Sequence, residues 1–310
     1  MSTAVGNAPI HFAPTASQLD VAYSVCRHIA RSAATNFYYG FAVLPRPKRN
    51  SLSAVYAFMR RCDDIADDNT LSFYERRNQL AEWLDAVHRA LAGYPTDDAL
   101  LLALTDTQRR YQIPLGLLDQ LAYGTAADVE QEPATEHAAT LAPRYRTFED
   151  LRQYCYGVAS VVGLVCIRIF GYRDPAAEAL AERCGLAFQL TNIIRDVKED
   201  VAMGRLYFPE EDLAEFGLAA ADFVAPDAAR IRPLLAKQAD RAREGYRAGE
   251  ELIPLVNEDS QPALWVLINI YRRLLEKIAA CQFDVFSERV GLGVREKLTI
   301  LGKGYVKRLL

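Results

Sequence analysis

Apolar positions recur along this chain at helical spacing almost from end to end, and the alternation that marks strands is nearly absent. After a loose stretch holding Gly6, Pro9 and Pro14, the positions Leu19, Val21, Ala22 and Val25 predict a helix capped by Ser17 and running to about Ala33. A turn at Pro45 and Pro47 leads into a helix that ends near Asp68 and Asn69. An amphipathic helix over 71–92 comes next, with Tyr74, Leu80, Trp83, Leu84 and Val87 on its core side, and two more helices fit between Asp97 and Tyr123. Residues 129–146, with Glu130-Gln131-Glu132-Pro133 and Pro143, break the pattern and read as a mobile loop between helices. Beyond it lies an apolar helix over 147–170, interrupted by small residues at Gly157, Ala159, Ser160 and Gly163. A long helix from near Pro175 to Gly204 and three more over 226–254, 260–283 and 290–306 complete the chain. No repeat of roughly 20–50 residues appears. The expectation is all-α: one helical domain over 16–310 behind an arm at 1–15.

Two of these helices carry carboxylates where apolar sequence surrounds them. At about 100° per residue, Tyr56, Arg60, Asp63 and Asp67 share one narrow sector, with Asp64 beside it. Gln189, Asn192, Asp196 and Asp200 form a second stripe with Glu199 at its margin, while Leu190, Ile194, Val197 and Val201 take another face. Solvated acidic faces are the ordinary meaning of such runs. Phe188, Leu190, Ile193 and Ile194 crowd the second stripe too closely for that, and unpaired carboxylates in such surroundings are costly. A cation should meet them. Mg²⁺ carrying a diphosphate suits the oxygen-only ligand set.

Composition narrows the choice further. The chain has 310 residues, is 51% hydrophobic and carries a net charge of −4, so it can bury a large core and has no field suited to nucleic acid. Cys26, Cys62, Cys155, Cys166, Cys184 and Cys281 show no metal spacing, and His11, His28, His88 and His137 are scattered. Without a secretory signal the thiols read as reduced and the protein as cytoplasmic; no apolar run is expected to span a bilayer.

Three stretches together carry a resemblance. They are Tyr-Ala-Phe-Met-Arg-Arg-Cys-Asp-Asp-Ile-Ala-Asp (56–67), Tyr-Cys-Tyr-Gly-Val-Ala-Ser-Val-Val-Gly (154–163) and Gln-Leu-Thr-Asn-Ile-Ile-Arg-Asp-Val-Lys-Glu-Asp (189–200), closed by Arg205-Leu206-Tyr207-Phe208-Pro209. From about Asn36 to Arg289 the chain resembles the squalene and phytoene synthases, which join two prenyl diphosphates head to head. The resemblance implies an isoprenoid-synthase helical bundle around a central cavity. It implies Mg²⁺ (or Mn²⁺) at Asp63, Asp67, Asp196 and Asp200, with Asp64 and Glu199 as auxiliary acids. Arg60 and Arg205 match diphosphate-contacting arginines, a role suited to their forked donors. Tyr56, Gln189, Asn192 and Tyr207 match residues of the reaction centre, Tyr154 and Tyr271 its cavity tyrosines, and Asp128 an acid of a Gly-x-x-x-Asp pattern. Phe37, Val158, Val162 and Gly163 match tunnel positions, for which plain core packing is the other reading. Ser160 departs from the family's glycine, adding a hydroxyl where a close approach is expected.

The implied activity is Mg-dependent condensation of two farnesyl diphosphates to presqualene diphosphate and onward to squalene or a dehydrogenated triene, feeding hopanoids, sterols or C30 carotenoids. The alternative is phytoene synthesis from two geranylgeranyl diphosphates. The Phe37-Tyr38-Tyr39 start and the Cys-Asp-Asp-Ile-Ala-Asp stretch (62–67) most resemble bacterial enzymes acting on farnesyl diphosphate, which favours the farnesyl branch. NADPH belongs only to the squalene outcome; no Gly-x-Gly-x-x-Gly fingerprint is present. A terpene cyclase and a non-enzymatic helical scaffold rank lower. The expected partners are the two prenyl diphosphates, other enzymes of the pathway, and a membrane surface touched by the basic tail of Arg295, Lys297, Lys303, Lys307 and Arg308, on the inner face. A docked C-terminal helix explains that tail equally well.

Overall fold

The computed structural model describes residues 13–33, 37–68, 70–125 and 141–309. Asp128, Asn36, most of the expected arm and most of the expected loop lie outside them. Among the described residues the secondary structure is helical, with isolated bridges joining Pro143 to Leu206 and Tyr172 to Val256. The all-α expectation holds. The chain groups into two compact units, one made of residues 1–38 and 46–132, the other of 39–45 and 133–310.

In the first unit, α1 (Ala16–Ala33), α3 (Arg46–Ala66), α4 (Phe73–Leu91), α5 (Ala99–Tyr111) and α6 (Leu115–Thr125) pack with α3 at the centre; α2 (Phe37–Ala42) joins the two units in sequence. Helix α1 starts slightly earlier than the sequence suggests. Thr15, not Ser17, makes the capping contact, its hydroxyl accepting from the Gln18 amide. Pro47 lies inside the first turn of α3, where its missing N–H leaves nothing unsatisfied. Leu52, Val55, Phe58, Cys62 and Ile65 bury the inner face of α3 and so fix which way Tyr56, Arg60 and Asp63 present. Helix α4 begins with a reciprocal cap between Ser72 and Glu75 and buries Leu80, Leu84 and Val87. Tyr74, expected on its core side, is 66% exposed, because the first turn projects beyond the packed stripe.

The second unit is built around α9 (Ala176–Ala202). Against it lie α7 (Phe148–Cys155), α8 (Val161–Phe170), α11 (Ala228–Leu252) and α12 (Gln261–Ala280); α10 (Glu210–Glu215) and α13 (Val294–Leu309) complete the unit. One π-turn, Tyr156–Ser160, joins α7 to α8 into a continuous helix. By length and composition alone that helix, Phe148–Phe170, could cross a bilayer, contrary to the sequence expectation; half of its apolar window is buried against the rest of the unit. Small residues set its distance from α9. A Cβ on Gly185 would stand 2.7 Å from Ser160 Cα, and one on Gly245 of α11 would stand 2.4 Å from Arg183 O, so glycine permits both approaches. The Ser160 hydroxyl is buried and donates to Glu182 O at 2.8 Å. The extra hydroxyl is therefore spent on the α9 backbone.

Asp212, on α10, is a fully buried carboxylate. It accepts from Lys237 Nζ (2.7 Å), Gln238 Nε2 (2.7 Å) and both terminal nitrogens of Arg241, all on α11. Arg241 also lies 3.7 Å over the Phe148 ring. This cluster anchors the segment beyond Arg205–Pro209 onto α11.

Candidate active site

In the first unit the candidate residues occupy the outer face of α3 and its last turn. Asp67 continues the helical ladder, its amide donating to Asp63 O at 2.8 Å, so the carboxylates of Asp63 and Asp67 stack one turn apart. Asp63 is half-buried, and burial is the main reason its carboxyl is pushed up to about 7; Arg60 pulls it down, while Asp67 and Asp64 push it further up. Burial likewise raises the Tyr56 hydroxyl, with Arg60 opposing and Asp63 and Asp64 adding to it. Arg60 itself bonds Asp64 at 2.6 Å across one turn. Both groups are nearly half exposed, so the pair is weak and easily exchanged for another ligand.

The α9 face in the second unit is balanced differently. Asp196 accepts from Arg195 Nε (2.7 Å) and a second Arg195 nitrogen, and from Arg289 Nε (3.0 Å) and Nη2 (2.7 Å). Burial pushes this carboxyl up, but the hydrogen bonds and charges of Arg195 and Arg289 outweigh it and hold it below the usual carboxylate range. Arg289 also reaches Glu199 at 3.6 Å. The segment bringing it there, 281–289, is tied to the helix by Lys198 Nζ donating to Phe286 O at 2.6 Å. Gln189 and Asn192 share the stripe, the Asn192 amide nitrogen 3.5 Å from Gln189 Oε1. Asp200 holds the Arg205 amide through its backbone carbonyl at 2.8 Å, which folds the Arg205–Pro209 stretch back beside its own motif.

Aromatic rings flank that stretch. Tyr154 and Tyr207 stack with centroids 5.2 Å apart, Tyr145 packs on both at 5.5 and 6.4 Å, and Arg144 stands 5.5 Å over the Tyr207 ring. Backbone bonds from Arg144 N to Leu206 O (2.9 Å) and from Glu210 N to Tyr145 O (2.9 Å) hold the two segments together. Tyr271 is buried and stacks on Phe188 at 4.4 Å. Phe37, Val158, Val162 and Gly163 are each half-buried; at Gly163 a Cβ would stand 3.1 Å from Ala181 O, so this position also meets α9. Arg289, Arg195, Arg144 and Tyr145 escaped the sequence reading as site residues. Arg195 lies inside a recognised motif and was the most accessible of them; nothing in the pattern around Arg289 points to α9.

Both acidic faces suit a hard cation. The side-chain oxygens Asn192 Oδ1 and Glu199 Oε2 are buried with no hydrogen-bond partner among the described residues, and burial outweighs Arg60 in raising the Asp63 carboxyl. Among the described residues no three His, Cys, Asp or Glu side chains already form a cage.

Comparison with known proteins gives consistent results. The squalene/phytoene synthase family model matches residues 30–296. A phytoene synthase of Mycobacterium tuberculosis is 36% identical over 290 residues, covering 92% of this chain and 90% of its own. The 15-cis-phytoene synthase of Synechococcus elongatus is 34% identical, covering 92% of each. Among solved structures, a dehydrosqualene synthase in complex with ligand superposes with a TM-score of 0.81 at 28% identity, over 94% of this chain and 97% of that one. The squalene synthase HpnC from Alicyclobacillus acidocaldarius gives 0.76 at 28%, over 87% and 97%.

Proposed function

Because this chain belongs to the squalene/phytoene synthase family, we propose that it condenses two geranylgeranyl diphosphates head to head to a phytoene-type C40 triene. The observation that carries this choice is the run of relatives named phytoene synthase at 34–36% identity over nine-tenths of the chain. It outweighs the farnesyl preference drawn from the Phe37-Tyr38-Tyr39 start and the Cys-Asp-Asp-Ile-Ala-Asp stretch (62–67). The farnesyl reading stays as the second one, supported by the likeness to the dehydrosqualene and squalene synthases.

Asp63 and Asp67 on α3, and Asp196 and Asp200 on α9, would hold Mg²⁺, with Asp64 and Glu199 beside them. Mg²⁺ (or Mn²⁺) would neutralise diphosphate charge and so ease its departure. Arg60 and Arg205 offer forked donors to the diphosphate oxygens. Ionisation of one prenyl diphosphate gives an allylic cation, which aromatic faces such as Tyr154 and Tyr207 can stabilise while apolar walls keep water away. The double bond of the second prenyl chain attacks it, and a proton leaves to close a cyclopropane. Tyr207 or the released diphosphate takes that proton. Asn192 and Gln189 stand on the α9 stripe, where they can orient the departing group. A second ionisation and rearrangement, ended by proton loss, yields the triene with no reductant; ended by hydride from NADPH, it would yield a squalene-type product.

The test is incubation with Mg²⁺ and geranylgeranyl or farnesyl diphosphate, with and without NADPH, read by mass spectrometry. A C40 triene from the longer substrate supports the proposal, and a C30 product from farnesyl diphosphate alone selects the second reading. A product with one chain's carbon count would make the protein a cyclase. Asp196→Asn should lower turnover by about a hundredfold or more, the scale of losing a group that stabilises transition-state charge; unchanged turnover removes the α9 assignment.

A further inference from the structure

Asp67 stands one residue beyond the end of α3, in the turn that leads to α4. A helix end leaves its last carbonyls without partners inside the helix, and the final turn frays unless something outside holds it. Most of the bonds that shape this reversal are local. The Asp67 amide donates to Asp63 O, the Asp68 carboxylate accepts from the Thr70 amide (2.9 Å) and hydroxyl (2.6 Å), and Leu71 N donates to Asp68 O at 3.2 Å. The Ser72–Glu75 cap then opens α4. Arg76 differs. From the start of α4 its Nη1 reaches back ten residues and donates to Ala66 O at 2.8 Å, bracing the last turn of α3 from outside.

Two features set Arg76 apart from a residue that merely packs. Its Nε is buried with no hydrogen-bond partner among the described residues, a cost that an aliphatic side chain of similar length would not carry. Its one printed bond goes to a carbonyl and not to a carboxylate, although Asp63, Asp64, Asp67 and Asp68 are all close in sequence to Ala66. An arginine on Asp63 or Asp67 would occupy oxygens that a metal needs, as Arg289 does on Asp196. An arginine on Ala66 O steadies the same turn and leaves those oxygens untouched. Its charge also suits the negative end of the α3 dipole.

We propose that Arg76 is a positioning residue for the acidic face of α3, a role that rests on the reading of Asp63 and Asp67 as magnesium–diphosphate carboxylates. By holding Ala66 O it fixes the turn that carries Asp67, and so the spacing between the Asp67 and Asp63 carboxylates, while touching neither. The two acids need different help. Asp63 lies inside α3, with helical backbone on both sides; Asp67 has helix on one side only. Magnesium is small and demands near-octahedral geometry, so a carboxylate on a loose turn binds it poorly. Groups that orient metal ligands from behind commonly change metal affinity by about 10–100-fold.

The experiment is calorimetric titration of the full chain with Mg²⁺ and inorganic diphosphate. It compares the wild type with Arg76→Met, Arg76→Lys, Asp67→Asn and the double variant Arg76→Met with Asp67→Asn. Arg76→Met keeps an unbranched stem and removes the donors, and should weaken the joint binding about tenfold. Arg76→Lys keeps a charged donor and should recover part of that loss. In the Asp67→Asn background, Arg76→Met should change affinity by less than about twofold, because the carboxylate it positions is gone. In turnover, Arg76→Met should need roughly tenfold more Mg²⁺ for half-maximal rate and recover at saturating Mg²⁺. A residue that only supports the fold gives another pattern, a lower melting temperature with an equal loss of affinity in both backgrounds, and that result overturns the proposal. Unchanged affinity in Arg76→Met overturns it too. If Arg76→Met unfolds, Arg76→Lys takes its place in the cycle and is judged by the same coupling to Asp67. An Asp67→Asn variant that binds like the wild type removes the reading of the α3 face and this proposal with it. A loss in Asp67→Asn with none in Arg76→Met defeats the role of Arg76 and leaves that reading standing.

Discussion

Replacing Asp63 by asparagine should make the magnesium-free protein more stable while it destroys the activity. The Asp63 carboxyl stands at 3.8 when unfolded and is pushed up to about 7 in the fold, first by burial and then by Asp67 and Asp64, against the pull of Arg60. The sign comes from proton linkage. Between those values the folded state binds the extra proton, so each step up in pH favours the unfolded chain. The loss grows from about pH 4, levels off above about pH 7, and is at most about 4 kcal/mol in total. Solvent reaches part of the side chain, so about 2 kcal/mol is the expected size. Asparagine mimics the protonated acid and cannot ionise. Urea denaturation of wild type and Asp63→Asn, without Mg²⁺, should show the variant's advantage widening from pH 5 to pH 7.5 and then holding constant. Mg²⁺ with inorganic diphosphate should then stabilise the wild type and not the variant. A variant that is less stable at pH 8, or an advantage that does not change with pH, would refute the reasoning; a freely solvated Asp63 gives that flat result.

Other parts of the fold carry their own expectations. Asp212→Asn leaves Lys237 and Arg241 without their buried counter-charge and should cost about 3–5 kcal/mol in denaturation. Burial opposes ionisation of Asp212, but Arg241, Lys237 and Gln238 more than offset it and lower its pKa. That stability is present above the unfolded value near 4 and is lost as pH falls through the folded one, so the gap between wild type and variant should close in acid. Gly185→Ala places a Cβ 2.7 Å from Ser160 Cα and should cost about 1–3 kcal/mol by parting α9 from the π-turn. Gly302→Ala, with nothing within 4 Å, serves as its control in the same thermal melts.

The two acidic helices were legible in the sequence because two periodic signals coincide there. Leu52, Val55, Phe58, Cys62 and Ile65 fix the buried side of α3, so the carboxylates have only one direction left. The same holds for Leu190, Ile194 and Val197 on α9. Helices α2 and α10 escaped because six residues are too few to display a period, and the packing around them decides their conformation. The π-turn escaped because periodicity averages over a window and cannot register one added residue. Arg289 escaped for a different reason. The chain reaches it through Gln282 and Phe283, which adopt left-handed backbone at φ 58° and 57° although neither is glycine. Residue type does not announce such a turn, so a contact that helps set the electrostatics of Asp196 comes from a segment with no readable pattern.

The π-turn has a bearing on how this molecule can change. At Val161 the amide reaches back to Tyr156 O, a ring one residue longer than the helical norm. The turn therefore sets the rotational phase between Tyr154 with its stacked partners, on the N-terminal side, and Val162 and Gly163 on the C-terminal side. Deleting a single residue there would turn the downstream half by about 100° and draw it in by about 1.5 Å relative to the upstream half. No substitution produces so large a change at one stroke. The helix behaves like a vernier: side-chain replacement adjusts its surface finely, whereas insertion or deletion within Tyr156–Ser160 shifts the whole scale. Length variation at this point is thus a coarse change to the helix, and point mutation the fine one.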